Sequence, residues 1–209
     1  MAFKNQKNNF STIAIRQRKK ILLVAGRLFW EKGYLGTSID DIAQSARINK
    51  ASIYYYYHNK PAILFELAVS FIDSLTKVVR PIVESDSPAE KKLEAFVNHH
   101  IIYSLDRLGF SGIGQRERRN LPARMMLQYT SLRDEYEKLF RRILEEGVAR
   151  GEFRIRDPKL LAKFCLGLLN STALWFKGKG KYSPEEIARE EYGFILGALK
   201  NGNRVRSKA

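Results

Sequence analysis

The segment from Thr37 to Lys60 constrains the fold more than any other part of the chain, and it reads TSIDDIAQSARINKASIYYYYHNK. Thr37 is predicted to be an N-cap whose hydroxyl accepts from the backbone N–H of Asp40. Asn49 is the next N-cap candidate and opens a second helix at Lys50. Apolar residues after each cap fall on one helical face, so the segment predicts two short helices joined by a tight turn. That layout is typical of a helix-turn-helix that reads DNA.

The second short helix is predicted to have two unlike faces. On a pitch of about 3.6 residues per turn, Ile53 and Tyr57 point back toward the first helix. Four successive tyrosines sweep about 300° around a helix and cannot all touch DNA, so Tyr57 is predicted to be a core residue. The outward face combines basic, small and aromatic side chains that can contact bases or phosphates: Lys50, Ala51, Tyr54 and Tyr55.

The order of residues, T-S-I-x-x-I-A-x-x-A followed by A-S-I-Y-Y-Y-Y-x-N-K-x-x-I-L, resembles the DNA-binding domain of the TetR family of bacterial transcription regulators. The resemblance covers Arg16 to Leu64. It implies a phosphate-contacting set: Thr37, Tyr54, Tyr56 and Lys60. It also implies a base-facing set: Lys50, Ala51, Ser52 and Tyr55. Arg47 departs from the pattern, because it stands where the family has its turn glycine; a left-handed backbone there costs about 1 kcal/mol relative to glycine.

Charge and composition fit a protein that binds a polyanion. The chain has 209 residues, 44% of them hydrophobic, which is enough for a globular core, and its formal net charge is +15. The first 60 residues hold 11 Lys and Arg against 3 Asp and Glu, so this third is the more basic part per residue. Binding to a DNA duplex would then depend strongly on salt. A generally basic surface kept for solubility is the alternative that charge alone leaves open.

Cysteine usage and hydropathy indicate the compartment. Cys165 is the single cysteine, so no intramolecular disulfide can form. The N-terminus lacks the apolar run of a signal peptide, and no segment approaches the ~20 apolar residues that cross a bilayer. We expect a cytoplasmic protein without a membrane partner.

Beyond Lys60 the apolar spacing stays near three and four, which predicts helices throughout. A helix from Leu64 is expected to end near Pro81, and the sequence Ser87-Pro88-Ala89-Glu90 predicts a capping box for the next helix. We therefore expect an all-α protein in two domains. Residues 1–60 hold an N-terminal tail and a three-helix helix-turn-helix DNA-binding domain, and residues 61–209 form a helical effector-binding and dimerisation domain.

The last two helices are predicted to begin at Asp157-Pro158 and at the capping box Ser183-Pro184-Glu185-Glu186. Both carry more apolar surface than a small body hides, which indicates an intermolecular four-helix bundle. The family resemblance implies the same homodimer. The alternative is that both apolar stripes complete the core of a monomer.

A narrower resemblance concerns the effector. The runs GQRERRNLP and RDEYEKLFRRILEEGVARGEFR are similar to regulators of lipid and sterol degradation that sense acyl-CoA thioesters. Arginines suited to coenzyme A phosphates are Arg116, Arg118, Arg119 and Arg124. Side chains suited to walling an acyl chain are Leu121, Met125, Met126, Phe164, Leu168 and Trp175. The alternatives are a solvated charged face, core packing and, for Trp175, a dimer contact.

No metal site or catalytic set stands out in the sequence. The prediction is a ligand-responsive transcriptional repressor, not an enzyme, that binds a palindromic double-stranded DNA operator as a homodimer. A small hydrophobic effector, an acyl-CoA in the narrower resemblance, would release it, and no cofactor is expected. The alternative is a constitutive, nucleoid-type DNA-binding protein without effector control.

Overall fold

A computed structural model describes residues 2–178 and 180–201; within that range the side chains of residues 2–12, 108, 109 and 115 lie outside the description. All regular structure in the described part is helical, which confirms the all-α prediction. The helices are α1 Ala2–Lys32, α2 Ile39–Ala46, α3 Lys50–Tyr56, α4 Lys60–Glu84, α5 Ala89–Asp106, α6 Leu108–Ser111, α7 Ile113–Arg116, a 3₁₀ turn Arg118–Asn120, α8 Ala123–Ala149, α9 Pro158–Trp175 and α10 Pro184–Asn201.

Helices α1 to α3 form a small head around buried apolar side chains. Phe29 of α1, Ile42 of α2 and Ile53 of α3 are all inaccessible to solvent. Helix α4 begins at Lys60, where the predicted boundary between residues 1–60 and 61–209 lies, and it packs against α1 on one side and against α5 and α8 on the other. Its position makes α4 the mechanical link between the head and the helical body.

The body is built on α4, α5 and α8. Aromatic rings fill its centre: Phe96 of α5 lies with its ring centroid 4.9 Å from that of Phe140 and 5.1 Å from that of Tyr136, both on α8. Helix α9 packs on α8 and α5, and α10 packs on α5. The outer sides of α9 and α10 are thereby left without a neighbour in the described part of the chain.

Cys165 of α9 is buried, and burial raises the pKa of its thiol to about 11. The thiol is therefore a packed small group with little nucleophilic thiolate at neutral pH. No helix in the described residues is both long and apolar enough to cross a membrane.

Two predicted caps are confirmed in the last helices. The Asp157 carboxylate accepts from the backbone N–H of Leu160 at 2.9 Å, with Pro158 in the first turn of α9. At α10, Ser183 and Glu186 form the reciprocal capping box, with the two bonds at 2.7 and 3.2 Å. Local sequence was sufficient here because each bond spans only three residues.

Three local predictions are wrong. The N-cap of α2 is Ser38 rather than Thr37, because Ser38 and Asp41 form the reciprocal box. Ser87 does not cap α5: the Glu152 carboxylate accepts from the backbone N–H groups of Ala89 and Glu90 at 3.1 and 2.9 Å. Helix α4 does not end near its proline at position 81 but continues to Glu84, and the proline lies in the last turn, where few backbone bonds follow.

Candidate functional site

Helix α3 presents the outward face that the sequence predicts. Tyr55 is 81% exposed and Tyr54 is 46% exposed, whereas Ile53 and Tyr57 are buried in the head. The helix is only two turns long and is fixed at its start by Asn49, whose side-chain oxygen accepts from the Ser52 N–H at 2.6 Å. A short, rigidly anchored helix with exposed aromatic side chains is suited to insertion into a groove.

The turn between α2 and α3 is left-handed at Arg47, with φ 52° and ψ 50°. Its N–H closes the end of α2 by donating to the carbonyl oxygen of Gln44 at 3.1 Å. The geometry confirms the strain inferred from the sequence, since a Cβ at this backbone conformation costs about 1 kcal/mol relative to glycine.

Replacing Arg47 with glycine is expected to stabilise the protein. Relief of the left-handed strain should raise the free energy of unfolding by about 1 kcal/mol, or Tm by about 2–4 °C for a chain of this size. Thermal unfolding followed by circular dichroism measures the change. Arg47→Ala is the matched control, because it removes the charge but keeps the Cβ; equal stabilisation by both variants would contradict the strain argument.

Thr37 and Lys60 organise the loop before α2. Thr37 is 1% exposed, and its hydroxyl lies 2.8 Å from the carbonyl oxygen of Gly33 and 3.2 Å from that of Leu28. The Lys60 ammonium donates to the carbonyl oxygens of Tyr34 and Thr37 at 2.8 and 2.7 Å and stands over the Tyr34 ring. Burial lowers the pKa of Lys60. The Thr37 side chain faces inward, so the phosphate contact predicted at this position would have to use its backbone. The Lys60 ammonium is partly occupied by the loop.

Lys50 is held at the rim of α3 by an ion pair with Asp40, with Nζ 2.8 Å from the carboxylate oxygen. The hydrogen bond to Asp40 raises the pKa of Lys50. Both partners are about half exposed or more, so the pair contributes little to stability and can be exchanged for another anion. Beside it, Tyr56 is half-buried and packs edge-on against Tyr55, with ring centroids 4.9 Å apart.

The predicted ligand-binding arginines differ in their surroundings. Arg116 donates to the carbonyl oxygens of Phe29 and Trp30 at 2.9 and 3.1 Å and lies over the Trp30 ring. It thus satisfies carbonyls in the last turn of α1, where a cation is favoured by the helix dipole. The other three predicted arginines are exposed: Arg118, Arg119 and Arg124.

The residues of the predicted acyl-chain wall differ in burial. Leu121 is buried, and Met125, Met126 and Leu168 are half-buried against the core. Phe164 and Trp175 are 63% and 55% exposed, and Phe164 lines a further cleft of about 600 Å³ together with Leu160, Leu161 and Ala198. Helix α9 buries a different set of its residues: Ala162, Cys165, Leu166, Leu169, Thr172 and Ala173. The acyl-chain contact of Phe164 and Trp175 stays a prediction.

A cleft of about 280 Å³ opens between α4, α5, α8 and α9, and we call it the effector cleft. Its lining combines an apolar floor with charged groups: Ile72, His100, Arg133, Asp134, Tyr136, Glu137, Lys163, Leu166, Gly167 and Asn170. The sequence reasoning missed every one of these residues as a ligand contact. The only signal was the charge run on α8, which reads equally well as a solvated face.

His100 and Tyr136 form a neutral polar pair at the effector cleft. The His100 Nδ1 lies 2.9 Å from the Tyr136 hydroxyl oxygen, and both side chains are buried. Burial lowers the pKa of His100 to about 3 and raises the pKa of Tyr136. An uncharged hydrogen-bonding pair of this kind can orient a ligand carbonyl without attracting an ion.

The depressed pKa of His100 makes stability depend on pH. Between pH 6.5 and about pH 3, His100 is protonated in the unfolded chain but neutral in the folded chain. The free energy of unfolding is therefore highest above pH 6.5 and falls as the pH is lowered through this range. One such group contributes a slope of about 1.4 kcal/mol per pH unit. Urea unfolding of wild type and His100→Asn across this range should show a shallower slope for the variant; parallel curves would contradict the assignment.

Two protein-family models match the chain. Residues 21–67 match the family model described as bacterial regulatory proteins, tetR family, and residues 86–199 match the one described as tetracyclin repressor-like, C-terminal domain. The HTH-type transcriptional repressor KstR2 of Rhodococcus jostii (strain RHA1) is 29% identical over 187 residues, covering 88% of this chain and 91% of that protein.

Solved structures agree with the fold. The TetR family transcriptional regulator PfmR from Thermus thermophilus superposes with a TM-score of 0.81 at 32% identity, covering 86% of this chain and 98% of that one. AibR, solved in complex with isovaleryl coenzyme A and operator DNA, gives a TM-score of 0.79 at 25% identity, again over 86% of this chain and 98% of that one.

Proposed function

The chain belongs to the TetR family of bacterial transcription regulators, and we propose that it is a repressor that grips a palindromic operator as a homodimer and is released by an acyl-CoA thioester. The outward face of α3 is the observation that carries this proposal. The relatives are named as repressors and regulators, so the chain is a regulator and not an enzyme. The constitutive nucleoid-type alternative finds no support among them.

DNA contact is assigned to α3 and its flanks. Helix-turn-helix dimers place their reading helices in successive major grooves about 34 Å apart. Lys50, Ala51, Ser52 and Tyr55 are proposed to face bases, while Tyr54, Tyr56 and Lys60 contact phosphates. At position 37 only the backbone remains for such a contact. Residues 1–60 then act as the DNA-binding domain and residues 61–209 as the effector-binding and dimerisation domain.

Dimerisation is assigned to the outer faces of α9 and α10. Phe164, Leu174 and Trp175 on α9 and Phe194 on α10 are each more than half exposed. Large exposed apolar side chains on these two helices mark an interaction surface. A second copy covering this face would form the four-helix bundle and present the two heads as a symmetric pair.

The effector cleft is proposed to take the acyl end of the thioester. Its apolar floor suits an alkyl chain, and the cations Arg133 and Lys163 at its lining suit phosphates of the coenzyme A portion. The crystal structure of AibR with isovaleryl coenzyme A supports this ligand class. The alternative site for the coenzyme A phosphates is formed by three exposed arginines: Arg118, Arg119 and Arg124.

Release is proposed to run through α4 and Arg116. Effector binding favours body conformations that hold the heads at a different separation, and the shift equals the difference in ligand affinity between the two states. Arg116 ties the body to the last turn of α1, and Gly112 packs so closely that a Cβ there would meet the Trp30 ring at 2.5 Å. A change in α6 and α7 is thereby transmitted to the head.

The test is a gel-shift titration on the DNA upstream of the protein's own gene, with and without a long-chain acyl-CoA. Tight, sequence-selective binding that the thioester releases is the expected result. Binding that is indifferent to sequence would favour the constitutive alternative and overturn the proposal. Turnover of the thioester would also overturn it, in favour of an enzyme.

Arg133→Ala is expected to raise the acyl-CoA concentration needed for release by about 10-fold or more, because one charge-assisted phosphate bond is lost. Operator affinity without effector should stay unchanged, since Arg133 lies in the body. The Arg118→Ala/Arg119→Ala double variant is the comparison. If that variant loses the response while Arg133→Ala keeps it, the effector cleft is the wrong site.

A further inference from the structure

A second cleft, of about 250 Å³, lies where the head meets the body, and we call it the junction cleft. It is separate from the effector cleft and shares no lining residue with it. Its walls come from the head helix α1 and from α4, α5 and α6 of the body. Any occupant therefore touches both halves of the molecule at once.

The interior of the junction cleft is apolar. Leu22 and Leu23 of α1 face Phe71 of α4, Tyr103 of α5 and Phe110 of α6. Leu23 is 50% exposed although it borders this apolar wall, and the rings of Phe71 and Tyr103 lie with centroids 5.5 Å apart. The Phe71 ring is buried and Tyr103 is half-buried, so Leu23 is left half in solvent at this apolar wall. An alkyl chain that covered Leu23 would be stabilised by burial of apolar surface.

Two cations stand at the same cleft. Lys19 on α1 and Arg107 at the end of α5 both line it and are both exposed. Arg107 lies over the Tyr103 ring, with its guanidinium carbon 4.1 Å from the ring centroid. Among the described residues neither cation has a carboxylate within 4.0 Å, unlike Arg18 on the same helix, which pairs with Glu66. After burial, the charge of Arg107 is the second cause that lowers the pKa of the neighbouring His99.

We propose that the junction cleft is a binding site for a medium-chain carboxylate, a single-headed anion with an apolar tail of roughly eight carbons. The two cations receive the carboxylate, and the leucine and aromatic wall receives the tail. The cleft volume of about 250 Å³ suits a small amphiphile of this kind.

Occupancy of this site ties α1 to the body and restrains the head. By linkage, the carboxylate and operator DNA change each other's affinity by the same factor. Binding itself does not depend on the proposed function; only this regulatory consequence does.

Isothermal titration calorimetry of octanoate into the full chain, without DNA, tests the site. Saturable binding of one octanoate per chain with a Kd near about 1 mM or tighter is expected for a ligand of this size. Octan-1-ol, which lacks the charge, and butyrate, which lacks the tail, should each bind at least about 10-fold more weakly. Absence of saturable binding, or equal binding of octanoate and octan-1-ol, would overturn the proposal.

Variants locate the site. Arg107→Ala and Lys19→Ala should each weaken octanoate binding by about 10-fold, whereas Lys20→Ala, the neighbouring exposed cation outside the cleft, should not. Leu23→Glu, at a half-exposed position, places a carboxylate at the cleft and should abolish binding while circular dichroism stays unchanged. The Leu23→Glu variant locates the site if Arg107→Ala fails to fold. If Lys163→Ala loses octanoate binding instead, octanoate binds in the effector cleft and the assignment to the junction cleft is wrong.

The outcome can be separated from the proposed function by a gel shift with Arg107→Ala. If acyl-CoA still releases DNA from a variant that has lost octanoate, the effector cleft and the junction cleft are independent sites, as proposed. If octanoate never binds but acyl-CoA still releases DNA, only the junction cleft is refuted. If octanoate binds as expected but acyl-CoA releases nothing, the junction cleft stands and the effector assignment falls.

Discussion

Phe194→Glu is expected to convert the protein to a monomer and to weaken operator binding by at least about 100-fold. Phe194 is 72% exposed on α10, one of the two helices assigned to the interface. A carboxylate there would be buried without a cation when two copies meet, which costs several kcal/mol per charge. A monomer then binds one half-site without the second contact, and the loss of effective concentration removes about 10²–10⁴ in affinity.

Light scattering after gel filtration measures the mass, and fluorescence anisotropy with labelled operator measures the affinity. Leu127→Glu is the matched control, because Leu127 is 73% exposed but lies on α8, outside the proposed interface. The control should remain dimeric and bind normally. A Phe194→Glu protein that stays dimeric, or a monomer with full operator affinity, would refute the four-helix interface.

Lys50→Ala and Lys60→Ala are expected to impair DNA binding in different ways. Lys50 is free to exchange its exposed Asp40 partner for a base or phosphate, so its loss should lower the ratio of operator to random-DNA affinity by about 10-fold. Lys60 is proposed to contact a phosphate, which carries no sequence information. Its loss should therefore weaken binding to all sequences alike and reduce the salt slope by about 1. Anisotropy titrations at several salt concentrations on operator and scrambled DNA separate the two effects.

Lys60 also donates hydrogen bonds to two backbone carbonyl oxygens, so Lys60→Ala needs a control for lost stability. Thermal unfolding should show a lower Tm for Lys60→Ala and little change for Lys50→Ala, since only Lys60 makes partly buried bonds. Titrations are therefore run well below the lower Tm. If neither substitution changes the affinity, the specificity ratio or the salt slope, the assignment of α3 as the reading helix is wrong.

The sequence predicts the head well because its determinants are local. Asn49 caps α3 through a bond spanning three residues, and Tyr57 is buried as the helical pitch requires. Even so, the sequence misplaces the start of α2 by one residue. Thr37 looks like a cap in sequence, but its hydroxyl finds carbonyl oxygens of Leu28 and Gly33, and only tertiary structure brings the first of these near.

The body is less predictable because its determinants are distant in sequence. Glu152 caps α5 although it lies more than 60 residues away in sequence, and no local sequence pattern predicts this cap. Helix α9 carries apolar residues on several sides, so periodicity alone cannot tell that Cys165 and Leu169 are buried while Phe164 is 63% exposed. The effector cleft joins Arg133 to Lys163 from different helices, and each looks like a solvated charge on its own.

The arginine cluster illustrates the same limit. Arg116 is predicted to bind a ligand phosphate, and its guanidinium donates to two carbonyl oxygens at the end of α1. A guanidinium fork suits carbonyl oxygens at a helix C-terminus as well as it suits phosphates. Residue type therefore narrows the chemistry without fixing the partner.

Hydroxyl-radical and dimethyl-sulfate footprinting on the operator tests the central claim most directly. Two α3 helices presented by one dimer predict two protected patches on one face of the duplex, centred about 34 Å or one helical turn apart, with major-groove guanines shielded in each. Tyr55→Ala should weaken both patches together, since both copies carry the change. A single patch, protection confined to the minor groove, or a pattern untouched by Tyr55→Ala would contradict the account.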